Sequence, residues 1–177
     1  MRILFLAAVD FELDVARALR SGTEDCFLCG GIGPEATRNA LDALLAVDRC
    51  FDLAVNLGIA GSYTERLPLG SVVHVVTEYF GDRPAEPLYN PAPPFQLSAL
   101  PQATGNTVAA LEPSWRRVRA DVETMEGAAF FERCLHHGLP FAEVRAVSNR
   151  VGETDRARWD IPLSLKNLQQ ILSLLSF

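Results

Sequence analysis

The sequence predicts an α/β fold of three layers, α/β/α, around a central twisted, mixed and largely parallel sheet. Apolar runs of strand length alternate with amphipathic stretches of helix length along the chain, an order that places helices on both faces of a sheet. Several runs are apolar almost throughout, such as residues 51–58, which suits strands covered on both faces. The 177 residues, 49% hydrophobic and 21% charged, fit one domain, 1–177.

Seven segments are predicted to be strands. They are residues 3–9, 25–29, 51–58, 71–79, 104–110, 117–122 and 141–148. Residues 81–103 hold six of the eleven prolines and have no periodicity. We expect a Pro-rich loop there, and loops of this length are often functional.

Four helices are predicted between the strands. Asp10 is expected to cap the first, and Gly33-Pro34 opens the second with proline in its first turn. The third runs from Met125-Glu126 to Gly138, which is followed by a proline, a common helix ending. The last helix starts at Asp160.

Charge and hydropathy exclude several classes of partner. The net charge is −6 and no run of Lys or Arg occurs, so a nucleic-acid partner is not expected. No stretch reaches the roughly 20 apolar residues that span a bilayer. The start, Arg2 followed by an apolar run, resembles a secretory signal, but acidic residues from Asp10 onward occupy the place of a neutral cleavage region. We therefore expect a first buried strand and cytoplasmic residence.

The four cysteines, Cys26, Cys29, Cys50 and Cys134, include one CxxC spacing. A redox CxxC needs a helix N-terminus to lower the thiol pKa, whereas Cys26 and Cys29 lie in a strand-like run, where positions i and i+3 face opposite sides. A zinc site needs a second pair of ligands. We expect four buried, reduced thiols and no bound metal.

Chemically useful side chains follow several predicted strands, and open α/β sheets bind ligands at that edge. Glu12 follows the first strand, Glu126 follows a later one, and Arg145 and Asn149 belong to the segment in which the last strand ends. Each has a simpler explanation: a first-turn acid for Glu12, a helix cap for Glu126 and a turn for Asn149. A buried Arg145, however, needs a carboxylate partner, and their joint occurrence at strand ends favours a site.

These segments resemble the purine nucleoside phosphorylase and nucleosidase superfamily, and within it the futalosine hydrolases of menaquinone biosynthesis. The matching pieces are Glu12, GGIGPEAT (30–37), NLGIAGS (56–62), GNTV (105–108), ETMEGAAFF (123–131) and RAVSNRVGETDRARWD (145–160). They are distributed along the chain on both sides of residues 81–103. The last segment is the one that favours futalosine hydrolase over methylthioadenosine/adenosylhomocysteine nucleosidase.

The resemblance implies a phosphorylase/hydrolase-like fold, no cofactor, a small purine nucleoside as partner, and a homodimer or larger homo-oligomer. It implies catalytic roles for Glu12, Glu126 and Asn149. It implies substrate binding by Ala60, Gly61, Met125, Glu126, Arg145, Ser148 and Asn149. In this scheme Glu12 activates water, Glu126 binds the ribose hydroxyls and favours a cationic transition state, and Arg145 holds the cluster by pairing with an acid.

Asn149 is expected to select the base. Relatives that act on adenine nucleosides carry Asp at this position, whereas an Asn amide offers both a donor and an acceptor to a 6-oxopurine. Phosphorylases of the nearest type carry Arg and Ser where this chain has Asn56 and Ile59, so water is the expected nucleophile. For the benzoate-bearing tail of futalosine, Arg83 or Arg150 could meet the carboxylate, although either is equally a solvated surface charge.

Three alternatives remain open at this point. One is a methylthioadenosine/adenosylhomocysteine nucleosidase. Another is a dinucleotide-binding module, because residues 31–36 fit GxGxxA between a strand and a helix, although Pro34 removes one amide donor. The last is a catalytically silent relative that only binds a ligand.

Overall fold

The computed structural model describes residues 1–81, 86–111 and 119–175, and within them eight strands form one sheet. In chain order they are β1 (Ile3–Ala7), β2 (Cys26–Cys29), β3 (Leu53–Ser62), β4 (Val72–Phe80), β5 (Leu88–Tyr89), β6 (Gln102–Thr107), β7 (Val122–Thr124) and β8 (Phe141–Arg150). Five neighbouring pairs run parallel, while β3–β7, β4–β5 and β4–β8 run antiparallel. The predicted mixed, largely parallel sheet is confirmed.

Five of these strands close into a ring. β3 pairs with β8, β8 with β4, β4 with β6, β6 with β7, and β7 returns to β3. β1 and β2 extend from β3, and β5 extends from β4. The open sheet that the sequence predicts is wrong here, because antiparallel pairs join β4 to β8 and β3 to β7 across long sequence separations.

Helices cover the sheet on both sides, as predicted. They are α1 (Asp10–Leu19), α2 (Pro34–Val47), α3 (Gly127–His137) and α4 (Ile161–Leu174). α1 packs against α4, and α2 packs against α3. Among the described residues, no helix has both the length and the apolar character needed to cross a bilayer.

The alternation of side chains along β1 creates two separate cores. Ile3 and Phe5 pack with residues of α1 and α4, whereas Leu4 and Leu6 pack with residues of α2 and α3. Successive residues of a strand point to opposite faces, and all five residues of β1 are buried. This explains the continuous apolar run in the sequence.

Three helix boundaries match their sequence signals. Pro34 begins α2, Asp160 caps α4 by accepting a hydrogen bond from the Leu163 amide (3.2 Å), and α3 ends at Gly138 with φ +63°. The expected cap at Asp10 is wrong, because α1 is preceded by Val9 and Asp10 lies inside its first turn. Its carboxylate instead accepts hydrogen bonds from Arg17.

β3 and β8 extend further than predicted. Residues 59–62 and 149–150, which were expected to follow strands, belong to β3 and β8, because these two strands pair along their whole length. The register shifts where Ala60 pairs with Val147 and Gly61 pairs with Asn149. Ser148 is therefore an extra residue, a β-bulge, and bulges next to active sites redirect side chains.

Other predictions hold in part. Within 81–103 the structure has β5, a 3-10 turn at Phe95–Leu97 and the start of β6, while residues 82–85 lie outside the described part. The strand predicted at 117–122 falls partly outside the described residues, and β7 begins at Val122.

All four cysteines are free thiols, as predicted, but their predicted burial is wrong for three of them. Cys134 is buried in α3, whereas Cys29 and Cys50 are exposed and Cys26 is half-buried. Cys26 and Cys29 lie in β2, which is at the border of the sheet and has a neighbour on one side, and Cys50 lies in the loop between α2 and β3.

Candidate active site

A pocket opens where β1, β3, β7 and β8 end, beside the first turns of α1 and α3. Its polar lining comes from Glu12, Glu123, Thr124, Glu126, Ser148, Asn149 and Arg156. Its apolar lining includes Phe11, Ile32, Ile59, Met125, Trp159 and Ile161. The ends of the strands therefore meet at the edge where the sequence placed the site.

Glu12 lies in the first turn of α1 and is 3% exposed. Its Oε1 accepts a hydrogen bond from the Ile59 amide (2.9 Å), and its buried Oε2 has no hydrogen-bond partner among the described residues. Burial raises the pKa of the Glu12 carboxyl, against the opposing effects of Arg145 and the Ile59 amide. One carboxyl oxygen of this pocket-lining residue is therefore fixed by a backbone amide, and the other is buried without a partner.

Glu126 directly precedes α3 and is 4% exposed. Its side chain does not cap that helix, so the capping explanation is wrong. Instead, Oε1 accepts a hydrogen bond from the Gly33 amide (3.2 Å), and Oε2 accepts one from Arg145 Nη2 (3.5 Å). Glu126 is thus held between the start of α2 and strand β8.

Arg145 lies behind the pocket lining and is 1% exposed. Its Nε donates to Glu143 Oε1 at 2.8 Å, in addition to the longer contact with Glu126. Burial alone would lower the pKa of Arg145, but the surrounding carboxylates outweigh it and raise the pKa. Arg145 therefore remains a cation and can hold the Glu126 carboxylate in place.

Gly58 lets Glu12 and Arg145 approach each other. A methyl group placed on Gly58 would lie 2.6 Å from Glu12 Oε1 and 2.7 Å from Arg145 Nη1. Both distances are too short for a stable contact, so any larger residue would push these two side chains apart.

Asn149 is oriented by its neighbours in the bulged end of β8. Its Oδ1 accepts a hydrogen bond from Ser148 Oγ (2.8 Å), and its Nδ2 donates to the Arg150 carbonyl (3.0 Å). Because an amide oxygen has two lone pairs and an amide nitrogen two hydrogens, one acceptor and one donor site remain for a ligand.

The structure brings the predicted site residues together. Seven of them line the pocket, namely Glu12, Ala60, Gly61, Met125, Glu126, Ser148 and Asn149. Arg145 contacts Glu126 from behind. Their roles in binding and catalysis remain predictions.

The glycine-rich turn before α2 serves this same site. Gly33, with φ +98°, donates its amide to Glu126, so an amide that the dinucleotide-binding hypothesis would assign to a pyrophosphate is used by a carboxylate. The described residues include no group of three or more His, Cys, Asp or Glu side chains placed to hold a metal ion.

Two buried acids that were not predicted, Glu78 and Glu143, lie beneath the site. Glu143 is two positions from Arg145 on β8, a spacing that places both side chains on one face and could have identified the partner. Glu78 accepts hydrogen bonds from Thr107 (2.8 Å) and Thr124 (3.2 Å). Burial, followed by the charge of Glu143, raises the pKa of Glu78 well above its usual value.

Arg156 and Trp159 also line the pocket without having been predicted to do so. Both lie in the segment that carries the resemblance, but their residue types alone gave them no chemical role. By contrast, Arg150 donates hydrogen bonds to Ser62 Oγ and to the carbonyls of Thr64 and Leu67. Arg83, the other cation considered, lies outside the described residues.

Comparison with known proteins first identifies the class. The family model of the Phosphorylase superfamily matches residues 99–175. Futalosine hydrolase of Helicobacter pylori superposes with a TM-score of 0.85 at 14% identity, covering 99% of this chain and 97% of that one. The methylthioadenosine/adenosylhomocysteine nucleosidase of Colwellia psychrerythraea, solved with adenine, gives 0.77 at 18% identity, with 99% and 96% covered. The fold is that of the nucleosidases of this superfamily.

Sequence identity then identifies the family within this class. The chain is 32% identical to futalosine hydrolase of Streptomyces coelicolor, with 95% of this chain and 92% of that protein covered. A shorter stretch, 25% of this chain and 20% of the relative, is 52% identical to futalosine hydrolase of Thermus thermophilus. The chain belongs to the futalosine hydrolase family.

Proposed function

We propose that this chain hydrolyses the N-glycosidic bond of a 6-oxopurine nucleoside, futalosine, to hypoxanthine and dehypoxanthine futalosine in menaquinone biosynthesis. The observation that carries the proposal is that Glu12, Glu126 and Asn149 line one pocket. Membership of the futalosine hydrolase family supports the choice of substrate. Cytoplasmic residence stays a prediction from the sequence, and homo-oligomeric assembly stays a prediction of the family resemblance.

Water is the nucleophile in this mechanism, and Glu12 is its base. The water oxygen bonds to C1′ of the ribose while the C1′–N9 bond breaks, and the electron pair of that bond leaves with the purine. The unpartnered Glu12 Oε2 takes the proton of the water and later returns it to solvent. The raised pKa of Glu12 suits this role, because a base works best when its pKa approaches the working pH.

Glu126 acts on the sugar. A carboxylate beside the ribose accepts hydrogen bonds from its hydroxyls, and its negative charge stabilises the positive charge that develops on the ring as the base departs. The Gly33 amide and Arg145 Nη2 hold Glu126 in place before substrate arrives. This fixed position favours the transition state over the neutral ground state.

Asn149 contacts the purine base of the substrate. Its remaining amide hydrogen can donate to O6 of hypoxanthine, and its remaining oxygen lone pair can accept from N7 once N7 takes a proton from solvent. An ionised Asp would place an acceptor against O6, and a mismatched buried polar group costs about 1–3 kcal/mol. The amide therefore favours 6-oxopurines over adenine.

The contacts around Glu12 favour hydrolysis over phosphorolysis. Phosphate is a dianion that needs cationic partners, but Arg145 directs its Nε and Nη2 to Glu143 and Glu126. The Ile59 amide is donated to Glu12. A neutral water molecule fits this arrangement without an additional cation.

The direct test is incubation of the purified protein with futalosine, inosine and methylthioadenosine, each with and without phosphate. We expect hypoxanthine and a free sugar from futalosine at a rate that does not depend on phosphate, with the released base and sugar identified by mass spectrometry. Preferential release of adenine from methylthioadenosine, or formation of a sugar phosphate, would overturn the proposal.

A Glu126→Gln variant tests the mechanism. The amide retains much of the side chain's size but lacks the charge that stabilises the transition state, so we expect kcat to fall on the order of 10²–10³-fold. Binding of futalosine, measured by calorimetry, should be retained. Near-normal turnover in this variant would remove Glu126 from the mechanism.

A further inference from the structure

The outer part of the pocket is apolar although it is open to solvent. Phe11 and Ile32 line it and are 46% and 47% exposed. Trp159 forms part of the same lining, and its indole Nε1 donates to the Glu153 carbonyl (2.9 Å), which fixes the ring. Large apolar side chains around an opening are typical of a surface that a ligand covers.

One cation lies at this apolar opening. Arg156 lines the pocket, and its guanidinium carbon is 5.7 Å from the centre of the Trp159 ring. Within the described part of the chain, the guanidinium of Arg156 forms no hydrogen bond and no ion pair. The nearby Arg158 instead pairs with Glu153 at 3.3 Å.

The other arginines near the pocket are already engaged. Arg145 is bound by Glu143 and Glu126, and Arg150 donates to three oxygens of residues 62–67. Arg156 is therefore the cation, among the described residues of the pocket, that remains available to an anionic group on a ligand.

We propose that Arg156 and Trp159 form a subsite for an aryl carboxylate attached to the 5′ side of the nucleoside. The proposal rests on the proposed function. An aromatic ring packs among Phe11, Ile32 and Trp159, and its carboxylate binds the Arg156 guanidinium in the planar, two-bond geometry that these groups favour. The benzoate of futalosine has this chemistry, whereas a nucleoside with a simple 5′-hydroxyl leaves the subsite empty.

The burial of the pocket residues supports placing the purine and ribose deep in the pocket and the aryl carboxylate at its opening. Glu126 and Asn149 are buried, at 4% and 5% exposure, whereas Arg156 is exposed. The purine and ribose therefore occupy the enclosed part, and the charged end of the substrate's tail remains near solvent, where its desolvation costs least.

The test compares Arg156→Ala with Arg158→Ala, a matched control because both residues lie in one 3-10 turn, Arg156–Arg158, and Arg158 is not part of the pocket lining. Values of kcat and KM are measured for futalosine, for its carboxylate methyl ester and for inosine. For Arg156→Ala we expect kcat/KM on futalosine to fall about tenfold, chiefly through KM, as for loss of a charge-assisted contact. The ester and inosine should change less than about twofold, and Arg158→Ala should alter none of the three by more than this.

Each other outcome has a distinct meaning. An equal fall for futalosine, its ester and inosine in Arg156→Ala overturns the subsite while leaving the hydrolase activity intact, and so does an unchanged futalosine KM. Release of no base from any of these nucleosides by the unmodified protein overturns the proposed function itself, and the subsite with it.

Discussion

At the scale of single residues, Arg145 controls the electrostatics of the site, because it is one buried cation among four buried carboxyl groups. They are Glu12, Glu78, Glu126 and Glu143. Burial raises the pKa of Glu12, Glu78 and Glu143, and the charge of Arg145 lowers all three. The cation therefore decides how far these acids can ionise inside the fold.

We predict that Arg145→Met loses about 3–5 kcal/mol of unfolding free energy at pH 8, because it leaves buried charges uncompensated. Without the cation, the folded-state pKa values of the carboxyls rise further above their unfolded values. The folded state then binds more protons than the unfolded state, and stability falls as pH rises through that window. The deficit should be smaller at pH 5, as measured by urea unfolding at both pH values.

Arg133→Met is the matched control. Arg133 pairs with Asp42 at 3.3 Å between α2 and α3, and that carboxylate is 44% exposed. Loss of such a pair is expected to cost at most about 1 kcal/mol, with little difference between pH 5 and pH 8. An Arg145→Met deficit of equal size at both pH values would contradict the role assigned to the buried acids.

At the scale of elements, β3 and β8 are both structural strands and parts of the pocket. We predict that Gly58→Ala abolishes most of the activity, because the added methyl group would meet Glu12 Oε1 and Arg145 Nη1 at 2.6 and 2.7 Å. Overpacking of this kind costs about 1–3 kcal/mol of stability. The variant should therefore remain folded by circular dichroism while kcat falls.

Gly30→Ala is the control for Gly58→Ala. A methyl group at Gly30, just after β2, would lie 3.4 Å from Leu6 Cδ1, an ordinary contact. We expect this variant to keep its activity. If Gly58→Ala were as active as Gly30→Ala, the close approach of Glu12 and Arg145 would not matter for catalysis.

The elements that the sequence predicted best are those with local signals. Pro34, Gly138 and Asp160 mark helix boundaries through backbone geometry and capping, and the structure has all three boundaries there. The lengths of β3 and β8 could not be predicted in the same way. They follow from pairing between segments about 90 residues apart, and the Ser148 bulge exists through that pairing.

The same contrast applies to the candidate site. Glu12, Glu126 and Asn149 were predicted from their places near strand ends and in the segments that carry the resemblance, whereas Glu78 lies inside a predicted strand and the residue type of Arg156 gave it no role. Glu78 lies beneath the site because β4, β6 and β7 bring it against the Thr107 and Thr124 hydroxyls. Closure of the sheet into a ring could not be predicted from the sequence either, because it depends on long-range antiparallel pairs.

At the scale of the whole molecule, His74 should make stability depend on pH. It lies buried in β4, and burial lowers its pKa from 6.5 to about 4. The unfolded state therefore binds more protons between these pH values, so the stabilisation is present above pH 6.5 and is lost as pH falls towards 4. We predict that this loss reaches about 2 kcal/mol by pH 4.5.

The measurement is the difference in unfolding free energy between the unmodified protein and His74→Gln, at pH 7 and pH 4.5. Taking the difference cancels the carboxyl groups with raised pKa values, which act in the opposite direction. The exposed His136 of α3, changed in the same way, controls for the substitution itself. A difference that is equal at the two pH values would mean that His74 does not stay neutral in the fold.

The five-stranded ring lies between the two border strands of the sheet, β2 and β5. Every strand in the ring has neighbours on both sides, while the unpaired borders belong to β2 and β5, neither of which contributes a residue to the pocket. Opening of β5, or its association with a foreign chain, therefore occurs away from the pocket. Opening of β2 has a different consequence, because β2 leads into the turn whose Gly33 amide holds Glu126 and whose Ile32 lines the pocket.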